Sequence, residues 1–171
     1  MKSILTVDAL KANVLYDAAT GIFTRLKNHP KRKYVAGSIT GVLRPDGYVQ
    51  VMVDGKIFLA HRLAWLYVHG AMPEHYIDHI NGIKTDNRIE NLRDVYQNVN
   101  LQNQKRAKRN RTSSSMLGVS FCNQGRNKDK PYRARIVVDH KEIHLGTFSQ
   151  EQDAHAAYLD AKRKYHEGCT I

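Results

Sequence analysis

Two cysteines, four prolines and no long apolar run in 171 residues rule out several classes of protein. Cys122 and Cys169 stand far apart without a CxxC pairing, so neither a disulfide framework nor a four-cysteine zinc site is supported. Both read as buried or incidental thiols. No stretch approaches the roughly 18 apolar residues that cross a bilayer. The N-terminal MKSILTVDALK lacks an apolar core followed by a small-residue cleavage site, which leads us to expect a cytoplasmic protein with no membrane partner. Acidic residues are also scarce, 16 against 27 Lys and Arg, leaving a formal net charge of +11 and a sequence pI near 9.7. An excess of that size asks for a polyanionic partner.

With 42% apolar and 25% charged residues, the chain has the composition of an ordinary globular protein, and its length suits one medium domain or two small ones. TVDALKANVLY, Thr6 to Tyr16, places Val7, Leu10, Val14 and Leu15 near one face and predicts a short helix. GIFTRL reads as a strand. Tyr48 to Val53 and Lys56 to His61 flank Asp54-Gly55, a pair suited to a tight hairpin turn. HRLAWLYVHG then predicts a helix stopped by Gly70 and Pro73, with Trp65 in the core. Tyr76 to Ile80 reads as a strand, Asn81-Gly82 opens a polar loop, Ile89 to Val95 returns as a strand, and Gln97 onward is helical.

Hydrolysis of a phosphodiester needs a base for water, a cation for the charge that develops on phosphate and leaving oxygen, and a frame that aligns them. DHINGIKTDNRIENLRDVYQNVNLQN, Asp78 to Asn103, has residues for each task. His79 accepts a proton when neutral near physiological pH. Asp78 offers a hard carboxylate oxygen, and an asparagine carbonyl such as that of Asn100 is a neutral oxygen ligand that Mg²⁺ accepts while keeping its waters. Neighbours in a regular strand point to opposite faces, so Asp78 and His79 serve one phosphate only at a strand end or irregularity.

The same stretch resembles the HNH motif of phage and intron-encoded homing endonucleases, and the preceding VDGKIFLAHRLAWLYVHGAMPE is similar to the approach to that motif. The resemblance implies a β-hairpin and helix around one divalent metal, Mg²⁺ or Mn²⁺, with no small-molecule cofactor and double-stranded DNA as partner. It implies that Asp78 is a metal ligand and His79 the general base. Asn91, twelve positions after His79, becomes the framing asparagine. Asn100, where many members carry a final histidine, becomes the second ligand, with Asn98 and Asn103 as nearby competitors. Asn81, Asp86 and Asn87 are assigned to loop geometry, and His61-Arg62 to the start of a helix or to a phosphate contact.

After this motif, KRAKRNRTSSS concentrates Lys105, Arg106, Lys108, Arg109 and Arg111 before three serines and reads as a basic linker that contacts phosphates. LGVSF, YRARIVV and EIHLGTF then read as three strands, followed by a helix with a Ser149 to Gln152 capping box and a stripe of Ala154, Ala157, Tyr158, Ala161 and Tyr165. Alternation puts Arg133 and Arg135 on the outer face, with Glu142 and His144 beside them. Gly118-Val119, Leu145-Gly146-Thr147-Phe148 and the alanine-rich helix resemble the AP2 DNA-binding domain. The likeness departs at Ser120, Tyr132 and Arg135, where plant members carry arginine, tryptophan and glutamate. It implies that Arg133, Arg135 and His144 face DNA.

The expected class is α+β, an HNH ββα-metal module with an N-terminal β-hairpin region, plus a small three-stranded antiparallel sheet and helix. The expected boundaries are 1–60, 61–104 for the nuclease core, 105–116 for the linker and 117–171 for the terminal domain. A metal-dependent endonuclease that nicks DNA as a monomer is the leading expectation. A DNA-binding regulator on a nuclease-like fold shares the basic charge and terminal sheet, but gives Asp78, His79, Asn91 and Asn100 no joint purpose.

Overall fold

The structure, a computed structural model, describes residues 5–28, 34–104, 114–122 and 129–170. Chain contacts divide it into two compact units, Met1–Gln97 and Asn98–Ile171. Every strand pairing within them is antiparallel.

The first unit begins with helix α1, Val7–Lys11, capped by Thr6 Oγ1, which accepts from Ala9 N at 3.2 Å. The predicted helix through Tyr16 stops here. Asn13 turns its amide back onto Ala9 O (2.8 Å), and Val14–Asp17 becomes strand β1 with Val14 and Tyr16 buried and Leu15 52% exposed. The apolar residues in that stretch therefore serve two periods, with the helical one ending at Leu10 and a period of two taking over at Val14. β1 pairs with β2, Ile22–Arg25, and β2 with the short β3, Ile39–Thr40.

A second sheet holds β4, Val42–Leu43, then β5, Val49–Val53, and β6, Lys56–Leu59. The expected hairpin turn is present, since Asp54 and Gly55 both adopt positive φ, 47° and 75°, as a primed two-residue turn requires. Helix α2, Ala60–His69, follows directly and ends on Gly70 in the left-handed region, φ 75°. Its Leu63, Ala64 and Leu66 join Leu10, Val14, Phe23, Val51 and Val53 in one core, with Trp65 partly buried against it.

β7, Tyr76–His79, and β8, Leu92–Val95, form a two-stranded ribbon in which Asp78 lies opposite Arg93 and His79 opposite Leu92. The returning strand is shorter than expected. Ile89–Asn91 forms a single 3₁₀ turn instead, with Asn91 N donating to Arg88 O (3.0 Å) and Ile89 N to Ala18 O (3.3 Å). Ile77 and Leu92 carry the ribbon into the core.

Helix α3, Gln97–Gln102, starts at the last residue of the first unit and runs into the second. There, β9, Val119–Phe121, β10, Tyr132–Val138, and β11, Lys141–Phe148, make one sheet in the order β11-β10-β9. Helix α4, Glu151–Tyr165, packs on it through Ala154, Tyr158 and Ala161, against Val119, Ala134 and Ile136. The Ser149 to Gln152 capping box does not form. The N-cap is Gln150, without a side-chain cap bond, and Ser114 Oγ instead donates to Glu151 Oε1 (2.5 Å). Gly118, φ 78°, lies beneath the Tyr158 ring, where no side chain fits. Cys122 and Cys169 are not joined in a disulfide, and both are half-buried. Among the described residues no helix is long and apolar enough to cross a membrane.

Candidate active site

β7 ends at His79, so the Asp-His pair occupies the terminal positions of its strand, where the loop takes over the last side chain's direction. Both residues are buried. Arg93 meets Asp78 across the ribbon, with Nε at 2.9 Å and Nη2 at 2.7 Å, both to Oδ2. A carboxylate offers about four lone-pair positions. Hard carboxylate oxygens of this kind are the donor type that Mg²⁺ and Mn²⁺ take. Among the described residues no three His, Cys, Asp or Glu side chains gather into a metal cage.

The His79 ring is held by a residue that sequence reasoning assigned to the loop. Asn87, 3% exposed, places Oδ1 at 3.4 Å from His79 Nε2. Since Oδ1 only accepts, Nε2 carries the hydrogen and Nδ1 the lone pair. Asn87 is fixed in turn, with its carbonyl accepting from Tyr16 Oη (2.7 Å) and its amide donating to Thr85 O (3.2 Å). Burial lowers the pKa of His79, although the Asn87 contact and the charge of Asp78 oppose the shift. The ring is neutral at physiological pH, the form a general base needs.

Asn91 sits at the far end of the loop and closes it. Its Oδ1 accepts from Asn81 N (2.9 Å), its Nδ2 donates to Asp86 O (2.8 Å), and its own carbonyl accepts from Ile80 N (2.9 Å). Asp86 adds a second brace, accepting from Asn81 Nδ2 (2.6 Å) and from Arg88 Nε and Nη2 (2.8 Å each). Hydrogen bonds from the Arg88 side chain are the main reason the Asp86 pKa falls to about 2. Asn91 thus acts on the loop's ends, while the side-chain contact to His79 comes from Asn87.

His61, in the first turn of α2, was weighed in the sequence as a helix start or a phosphate contact. It is 5% exposed, its ring stands 5.1 Å from that of His79 and nearly perpendicular to it, and Tyr48 lies 5.2 Å from it. Burial, with the neighbouring His79 and Arg62, lowers its pKa to about 3, and its Nδ1 is buried without a hydrogen-bond partner among the described residues. Lys84 lies over the Tyr48 ring at 4.5 Å and donates to Asp46 O (2.9 Å). No local sequence signal marks His61, Tyr48 or Asn87, because each reaches His79 through tertiary packing. Arg93 is legible once the ribbon register is known.

Residues 58–102 match the HNH endonuclease family. The HNH segment covers β6 from Phe58, α2, the β7–β8 ribbon and α3 to its last residue, about a quarter of the chain. The match supports a nuclease of the HNH type, a hydrolase with DNA as its substrate. No curated protein and no solved structure matches the chain.

Asn100, also in the HNH segment, is half-buried on α3 in the second unit. Of its competitors, Asn98 is exposed, and Asn103 is buried with its Oδ1 accepting from Thr170 Oγ1 (2.6 Å). On the terminal sheet Arg133 is exposed and lies opposite Thr147 and Ser120. Arg135 is half-buried opposite the exposed His144, and its guanidinium pairs with Glu142 (2.9 Å). Lys105, Arg106, Lys108, Arg109 and Arg111 lie outside the described residues.

Proposed function

We propose that the chain is a metal-dependent, homing-type endonuclease that hydrolyses phosphodiester bonds of double-stranded DNA and nicks as a monomer. The observation carrying this reading is the buried His79 at the end of β7, kept neutral by burial and oriented by Asn87, beside the carboxylate of Asp78. With Nε2–H directed to Asn87, Nδ1 takes a proton from a water molecule as that water's oxygen attacks phosphorus. The bond from phosphorus to the 3′ oxygen breaks, the leaving oxygen takes a proton from solvent, and the products are a 5′-phosphate and a 3′-hydroxyl. Asp78 and Asn100 would hold a divalent cation, Mg²⁺ or Mn²⁺, which would supply positive charge at the phosphate and the leaving oxygen. Asn91 maintains the loop that keeps Asn87 against His79.

The basic linker 105–111 and the outer face of the terminal sheet, with Arg133, Arg135 and His144, hold the duplex. A three-stranded sheet packed on one helix supports an AP2-like mode, in which strands carry arginines toward base edges in the major groove. The domain reading retains a nuclease core at 61–104, a linker at 105–116 and a DNA-binding unit at 117–171.

Supercoiled plasmid incubated with Mg²⁺ or Mn²⁺, against a chelator control, tests the reading. The expected result is conversion to nicked circles with 5′-phosphate ends, abolished by chelator and by His79→Ala. Plasmid left intact across metals, together with tight single-site binding that His79→Ala does not change, identifies a DNA-binding regulator instead.

A further inference from the structure

Lys84 belongs to the same loop that orients His79, and its side chain is held by neutral groups. The residue is exposed. Its backbone lies between Asn81 and Asp86, where Ile83 N donates to Asn81 Oδ1 (2.8 Å) and Asp86 N to Ile83 O (3.0 Å). The stem passes Gly47, whose added Cβ would stand 3.5 Å from Lys84 Cδ. At its end the ammonium lies over the Tyr48 ring, 4.5 Å from the centroid, and donates to Asp46 O at 2.9 Å.

The carboxylate of Asp46 is engaged elsewhere. It accepts from Arg44 Nε (3.2 Å) and Nη2 (3.0 Å) and from Tyr48 N (3.3 Å), so Lys84 meets the carbonyl of that residue and not its carboxylate. Among the described residues no carboxylate forms an ion pair with Lys84. An ammonium has three donors. The carbonyl takes one, and the ring face attracts the charge without cancelling it. Immobilising a lysine costs rotamer freedom, and the result here is a fixed positive charge rather than a salt bridge.

The Tyr48 ring links that charge to the histidine. It is half-buried, with its centroid 6.0 Å from that of His79 and 5.2 Å from that of His61, so one aromatic ring separates the ammonium from the general base. A phosphodiester under attack gathers negative charge on its non-bridging oxygens, and a cation already in place there needs no reorganisation. We propose that Lys84 is a further catalytic residue, its ammonium donating to a non-bridging oxygen of the phosphate that the His79-activated water attacks. The assignment rests on the nuclease reading of His79 and uses residues of the first unit alone.

Two measurements on the full chain test it: the slope of log affinity for duplex DNA against log salt, taken in chelator, and the nicking rate at saturating plasmid with Mn²⁺. Lys84→Met keeps the stem and removes the charge. It should flatten the slope by about 0.9, the contribution of one phosphate contact, and lower the nicking rate by about 100-fold. Lys84→Arg should keep the parent slope and most of the rate. A lower rate with an unchanged slope would make Lys84 a brace for Tyr48 and the loop, and a flatter slope with an unchanged rate would put its contact at a phosphate that is not attacked. Either result overturns the assignment, as does a Lys84→Met variant equal to the parent in both measurements. In each of these cases abolition of nicking by His79→Ala leaves the nuclease reading standing. If the parent leaves plasmid intact, the nuclease reading fails first and the assignment to an attacked phosphate falls with it.

Discussion

Replacing His61 with phenylalanine should change how the protein responds to acid. The folded chain keeps this imidazole neutral down to about pH 3, because burial and the nearby His79 and Arg62 disfavour its cation. An unfolded histidine titrates near 6.5. Between those values the unfolded state binds a proton that the native state refuses, so stability is unaffected above about pH 7 and declines as pH falls below 6.5. Each pH unit inside the window costs about 1.4 kcal/mol, which amounts to about 2 kcal/mol at pH 5 relative to pH 7.5. Phenylalanine keeps a ring beside Tyr48 and His79 and removes both the titration and the buried Nδ1 that has no partner among the described residues. His79 remains in both proteins, so its own contribution cancels to first order. Urea unfolding of parent and His61→Phe at pH 7.5 and 5.0 gives the four free energies required. The variant should lose about 2 kcal/mol less than the parent over that interval. Equal losses in the two proteins would show that the folded state accepts the proton, and would refute the placement of His61 in a site that excludes charge.

Other expectations follow from single contacts. Asn87→Ala removes the acceptor at His79 Nε2, and plasmid nicking should fall by about 100-fold or more while DNA affinity in chelator is unchanged. Asn91→Ala deletes two side-chain bonds that close the loop. It should cost about 2 kcal/mol in urea unfolding and reduce nicking as well. Gly118→Ala forces a methyl group into the Tyr158 ring at a positive φ, so the terminal unit should lose about 3 kcal/mol or fail to fold, read by circular dichroism. Converting Lys105, Arg106, Lys108, Arg109 and Arg111 to glutamine should flatten the slope of log affinity against log salt by roughly 4.5, on a basis of about 0.9 per phosphate contact.

Much of the fold could be read in advance because local chemistry and tertiary packing agree. The Asp54-Gly55 turn, helix α2 with its Gly70 stop and the three terminal strands all declare themselves through period and turn residues. The misreadings share a cause. Val14 and Leu15 fit a helical face as well as a strand, and only pairing with β2 decides between them. Ser149 and Gln152 have capping-box spacing, yet the helix begins later and the Ser114 hydroxyl donates to the Glu151 carboxylate. At the site, Asp78, His79 and Asn91 are recognisable by spacing. The contacts from Asn87 and His61 join distant or looped positions, and spacing carries no information about them.

The loop between β7 and β8 contains its own scaffolding, since Asn81, Asp86, Arg88 and Asn91 bond one another or the backbone between residues 80 and 91. A segment braced in this way is a transplantable part. Grafted between the strands of another antiparallel ribbon, it should keep its shape with few outside requirements. Among the described residues, hydrogen bonds to its native host include Tyr16 Oη donating to Asn87 O (2.7 Å), Ile89 N donating to Ala18 O (3.3 Å) and Lys84 Nζ donating to Asp46 O (2.9 Å). A recipient scaffold would therefore need a phenol and two carbonyls in those places, and the N-terminal segments that provide them here are as much a part of the loop's portability as the loop itself.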